Sequence, residues 1–185
     1  MSDAVKPDVI QQVQQWLEDV VIGLNLCPFA AKPNRNKQIK IHVCESKTED
    51  QLLEEIYQQI KELDETPVEA LETTLVVAPN LFEEFDDYNQ FLDLVDALII
   101  QTGKEGTYQI ASFHPNYYFY DTQPDDAENL TNRSPFPIFH LIREASMEKV
   151  LKHYPDPEGI PGQNIQCVES LSSEQIKKLF PFLIK

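Results

Sequence analysis

Positive charge is what this chain has least of. Lysine and arginine number 15 against 31 aspartates and glutamates, for a net charge of −16, and a field of that sign repels nucleic-acid phosphates and anionic lipid surfaces. Nucleic acid and membrane are therefore not expected partners, and the acidity reads as a solvating surface. Long apolar runs are also missing. None approaches the roughly 20 residues that cross a bilayer, and the opening MSDAVKPDVIQQ has neither a basic start nor an apolar signal core. A cytoplasmic location is the expectation. Paired cysteines are the third absence: Cys27, Cys44 and Cys167 are odd in number and in no paired spacing, which argues against a disulfide scaffold and suits a reducing compartment. With no internal repeat, low-complexity tract or dividing linker, residues 1–185 are read as one domain.

What is present has the hydrophobic periodicity of an α/β protein. Val9, Ile10, Val13, Trp16, Leu17, Val20, Val21 and Leu24 recur at helical spacing, and Pro28 requires that helix to end near Leu26, leaving Cys27 at the junction. Residues 31–38 form a polar loop. Ile39, Ile41 and Val43 then alternate with Lys40, His42 and Cys44 as a strand with one face buried. Thr48 with Gln51 caps a helix running to about Asp64. The apolar run at residues 74–78 reads as a strand buried on both faces. Asn80 with Glu83 caps the next helix, which ends near Gln101 before Gly103, and Tyr108 to Phe113 is a third strand.

Strands alternating with helices imply a mostly parallel sheet of three or four strands, covered by helices on both faces. A ferredoxin-like α+β fold is the alternative if the fourth strand is antiparallel. After the third strand the chain enters a polar, proline-marked connection over residues 114–136, returning in a helix expected from Pro137 to about His153. A short strand at residues 165–168 and a final helix capped by Ser172 and Gln175 complete the pattern.

The candidate chemistry gathers around that connection. His114 follows a strand whose carboxyl end faces the usual ligand crevice of an open α/β sheet, with Asn116 beside it to orient a ligand. Asn132, Arg133 and Ser134 precede the expected helix start, a natural place for an anion. His140, Arg143 and Glu144, at i, i+3 and i+4, share one side of that helix, with His140 and Glu144 as an oriented acid/base pair and Arg143 as a substrate-binding residue. Together with His114 they could instead make a His/His/Glu metal site. Cys27 before Pro28 is a possible nucleophile or redox thiol if a new turn lowers its pKa. Cys44 and Cys167 look structural, His42 and His153 look exposed, and Asp125 and Asp126 look like turn residues.

Three blocks, GLNLCPFA (23–30), SFHPNYYF (112–119) and TQPDDAENLTNRSPFPIFHLIRE (122–144), resemble a family of bacterial and plastid-associated proteins known only as a domain of unknown function. The resemblance spans nearly the whole chain. It implies that Cys27, His114, Asn116, Asn132, Arg133, His140, Arg143 and Glu144 occupy the family's motif positions, and it carries no activity with it. The expectation from the residues themselves is an enzyme acting on a small anionic metabolite by hydrolysis or group transfer. A non-catalytic ligand sensor and a metalloprotein are the alternatives, and no cofactor or oligomeric state is indicated.

Overall fold

The computed structural model describes residues 5–183. Helix α1 (Val5–Trp16) runs on through a wider π-type turn at Leu17–Ile22, a short α2 (Ala31–Arg35) follows, and strand β1 (Ile39–Val43) begins the sheet. The sheet unit then proceeds through α3 (Glu49–Glu65), β2 (Thr73–Val77), α4 (Phe85–Gln101), β3 (Tyr108–Phe113) and β4 (Ile138–Arg143). Helices α5 (Glu144–Leu151), α6 (Ile160–Glu169) and α7 (Ser173–Leu179) close the chain.

The four strands lie in the order β1-β2-β4-β3. β1 and β2 are parallel, whereas β4 runs antiparallel to both β2 and β3. β1, β2 and β3 thus share one direction, but the sheet is mixed and not mostly parallel. The expected return helix from Pro137 to His153 is the source of the difference: its first half is β4 and only its second half, α5, is helical. Ile138, Phe139, Leu141 and Ile142 form a short apolar run that fits a buried strand as well as a buried helix. In place, Ile138, Phe139 and Leu141 are 0% exposed, as a strand filling the centre of a covered sheet requires. The unit order β-α-β-α-β-β also differs from the β-α-β-β-α-β of a ferredoxin-like fold. The strand expected at residues 165–168 lies instead inside α6, whose Pro161 sits at the helix start, where proline is favoured.

Helices cover both faces, as expected. On one face Cys44, Val76, Tyr108, Phe139 and Leu141 pack with Leu52, Ile56 and Ile60 of α3 and Tyr88, Phe91 and Val95 of α4. On the other, Val43, Leu75, Val77 and Ile138 pack with Val9, Val13 and Trp16 of α1, Val168 of α6 and Phe180. The Thr48 cap forms, its hydroxyl accepting from the Gln51 N–H, and Ser172 with Gln175 makes a full capping box. Asn80 and Glu83 do not cap α4. That helix begins at Phe85, after a turn in which Phe82 takes a φ of 60°, a strained value for an aromatic residue. Among the described residues no helix is long and apolar enough to cross a membrane.

Candidate functional site

The 114–136 connection joins two adjacent antiparallel strands, so its ends meet. The Asn132 carbonyl accepts from the His114 N–H at 3.2 Å, and the Asn132 side chain donates to the Ser112 carbonyl at 3.1 Å, extending the β3–β4 ladder outward. The interior of the loop is held by Asn129, a residue missed in the sequence. Its Oδ1 accepts from the Phe119 N–H and the Thr122 hydroxyl, and its Nδ2 donates to the Gln123 carbonyl. Asn129 is 0% exposed. Asn129→Ala would leave the Phe119 N–H without its acceptor, and we expect a loss of about 1–3 kcal/mol in urea denaturation. A change below about 0.5 kcal/mol would contradict the role.

Most of the residues expected to bind or react are occupied in holding this loop. His114 is 1% exposed. Its Nε2 donates to the Phe82 carbonyl at 2.9 Å while its Nδ1 accepts from the Asn116 N–H at 3.0 Å. Both ring nitrogens are used, and burial pushes the pKa down. His114 thus pins the strained Phe82 turn. Asn116 is exposed. Arg133 spends its guanidinium on the carbonyls of Tyr117 at 3.2 Å and Pro124 at 2.5 Å, and its own carbonyl accepts from the Trp16 indole N–H. The helix N-terminus expected to join it in holding an anion is a strand.

On β4, His140 and Arg143 point to opposite faces because strand side chains alternate. The His140 Nε2 lies 2.7 Å from the Thr73 hydroxyl, which itself donates to the Leu141 carbonyl. Burial lowers the His140 pKa to about 4. Arg143 reaches into the α3 side, and Glu144 opens α5. His114 packs against Phe85 and Tyr88 of α4, whereas His140 faces Phe113 on the other layer. The sheet therefore separates the two histidines, and neither the shared acid/base side nor the His/His/Glu set forms. Cys27 belongs to the α1 layer. Burial raises its pKa, outweighing the opposing N–H groups of Phe29 and Ala30, so the expected activation of the thiolate is not found.

Another group does converge. At the end of β1, the ligating atoms of His42, Cys44 and Glu55 lie within 4.8 Å of one another. His42 and Cys44, two apart, share the strand face toward α3, and Glu55 comes from that helix. The His42 Nε2 is 2.9 Å from a Glu55 carboxylate oxygen, and the buried Ser46 hydroxyl donates to the other. Burial alone would raise the Glu55 pKa, but donors from Ser46, His42 and Cys44 outweigh it and hold it below the usual value. Burial first, and then Glu55, push the Cys44 thiol far up. His42 and Glu55 keep 23% and 31% of their side-chain surface exposed. Glu55 and Ser46 also border an open depression lined by Glu45, Asp50, Gln51 and Glu54.

The sequence signal for this group was the alternation of Lys40, His42 and Cys44. By sequence alone it is an outward face, because Ile39, Ile41 and Val43 supply an inward one. In a sheet covered on both sides, that second face also meets a helix. Lys40 pairs with Glu62 at 2.5 Å two helical turns beyond Glu55, so successive polar residues of β1 each find an acid on α3.

A family model described as "Protein of unknown function (DUF1415)" matches residues 8–178. The chain belongs to that family. This agrees with the resemblance drawn from the CPFA, FHP and NRSP segments, and the family's description assigns no activity. No curated protein and no solved structure matches the chain.

Proposed function

We propose that this protein is a metalloprotein whose ion is held by His42, Cys44 and Glu55. The observation that carries the reading is the convergence of an imidazole nitrogen, a thiol sulfur and a carboxylate oxygen within 4.8 Å. A tetrahedral zinc ion needs ligand atoms roughly 3.3–3.6 Å apart, from bond lengths of about 2.0–2.3 Å. Small side-chain movements bring the three atoms to that spacing. Mixed sulfur, nitrogen and oxygen donors suit zinc or cobalt better than magnesium or calcium, which prefer oxygen alone. Ser46, donating to Glu55, would fix the carboxylate in the outer shell. Three protein ligands leave a fourth position for water, the arrangement of hydrolytic zinc sites, and Glu55 and its partner Ser46 border the open depression. Hydrolysis is accordingly the reaction class we assign.

Cobalt(II) titration tests this directly. One ion per chain should bind with a sulfur-to-cobalt charge-transfer band, and Cys44→Ser should abolish the band. Ser46→Ala should weaken zinc binding by about ten- to a hundredfold, as outer-shell changes do. Binding without the band, or a Cys44→Ser variant that binds as well as the parent, would show instead that the group is only a polar contact between β1 and α3.

A further inference from the structure

We infer that the mouth of the His42–Cys44–Glu55 centre is a cation-capturing lip, so that the ion enters as a hydrated cation and not as an anionic chelate. This rests on the metal-centre reading. Three further carboxylates, Glu45, Asp50 and Glu54, line the depression that opens beside Ser46 and Glu55. A divalent ion would balance the Cys44 thiolate and the Glu55 carboxylate, leaving those three negative charges at the mouth. Lys6 of α1 pairs with the lip at 3.4 Å from Glu45. Both members of that pair are about half exposed, so Lys6 offsets the lip without cancelling it.

Asp50 also complements the N-terminus of α3, yet the helix end is only a partial positive charge and does not reverse the sign of the lip. A concave surface of one sign raises the local concentration of the opposite ion and speeds its association, an effect that salt screens. The same field disfavours the small anionic metabolite expected from the sequence.

Stopped-flow mixing of the full chain with cobalt(II) chloride, followed at the sulfur-to-cobalt band, gives the association rate. The rate should fall several-fold between roughly 10 mM and 300 mM salt, across which the Debye length shrinks from about 30 Å to a few ångströms. Asp50→Asn with Glu54→Gln, both exposed positions, should slow association several-fold at low salt and leave it unchanged at high salt. Lys6→Gln should accelerate it. Cobalt nitrilotriacetate, an anion, should deliver metal more slowly to the parent than to the double variant, relative to the chloride. Salt-independent rates, or a double variant as fast as the parent while one cobalt still binds, would overturn the lip and leave the centre standing. If the parent binds no cobalt, the centre and the lip fall together.

Discussion

Arg143→Ala is expected to destabilise the fold by about 1–3 kcal/mol, the range for leaving buried polar groups without their hydrogen-bond partner. Arg143 is the last residue of β4, and its guanidinium turns toward the α3 side of the sheet. Its Nη2 lies 2.5 Å from the Leu63 carbonyl, 2.9 Å from that of Thr66 and 3.2 Å from that of Leu71. Its Nη1 donates to the Tyr108 hydroxyl at 3.2 Å, and that hydroxyl donates to Asp64 at 2.9 Å. Asp64 is in turn paired with Lys104 at 2.6 Å.

One side chain thus satisfies carbonyls at the end of α3, where a helix leaves acceptors unpaired and favours a cation, and ties them to the first residue of β3. Alanine leaves these acceptors buried or badly solvated. Lysine keeps the charge but not the planar fork, so Arg143→Lys should recover less than half of the loss. Chemical denaturation with an unchanged slope would measure both variants. A loss for alanine under about 1 kcal/mol would show that Arg143 is not needed to hold the end of α3.

Acid is expected to destabilise the protein well above the range where carboxylates alone would act. The folded-state pKa of His140 is lowered to about 4 by burial, against about 6.5 in an unfolded chain. Between those values the unfolded chain binds a proton that the folded chain refuses. Stability is therefore complete above about pH 6.5, falls as the pH drops toward 4, and levels off below for this group. At about 1.4 kcal/mol per pH unit the loss reaches about 3 kcal/mol at most, since His140 keeps part of its surface exposed.

His114, also lowered by burial, acts in the same direction. Glu55 and Asp64, held below their usual values by hydrogen-bond donors and nearby cations that outweigh burial, add a loss that begins only at lower pH. Urea denaturation at pH 7, 5.5 and 4.5 should show the decline. His140→Gln should flatten it between pH 6.5 and 4.5, and an unchanged slope in that variant would remove His140 as the cause.

Much of the fold is legible in the residues because it depends on neighbours in the chain. The stripe of α3, its Thr48 cap, the buried run of β2 and the Ser172 capping box are local patterns, and each forms close to where the residues place it. The long connection after β3 is also legible, since its polar, proline-rich composition cannot continue either element. Its chemistry is not. Whether His114, Asn132 and Arg133 face a ligand or the loop's own backbone depends on carbonyls at Phe82, Ser112, Tyr117 and Pro124, and no local pattern reveals that a donor is already spent.

The sequence by itself determined the alternation of strands and helices from β1 to β3, the net acidity, the Thr48 and Ser172 caps and the site of the long loop, because short-range periodicity and backbone preferences suffice for these. Only the tertiary structure decided that residues 138–143 insert as an antiparallel strand between β2 and β3. A short apolar run has no period that distinguishes helix from strand, and the ladder partners that select the strand lie dozens of residues away. That insertion put His140 and Arg143 on opposite faces and dissolved the expected site. The packing of α3 against the second face of β1, equally a long-range choice, brought Glu55 to His42 and Cys44.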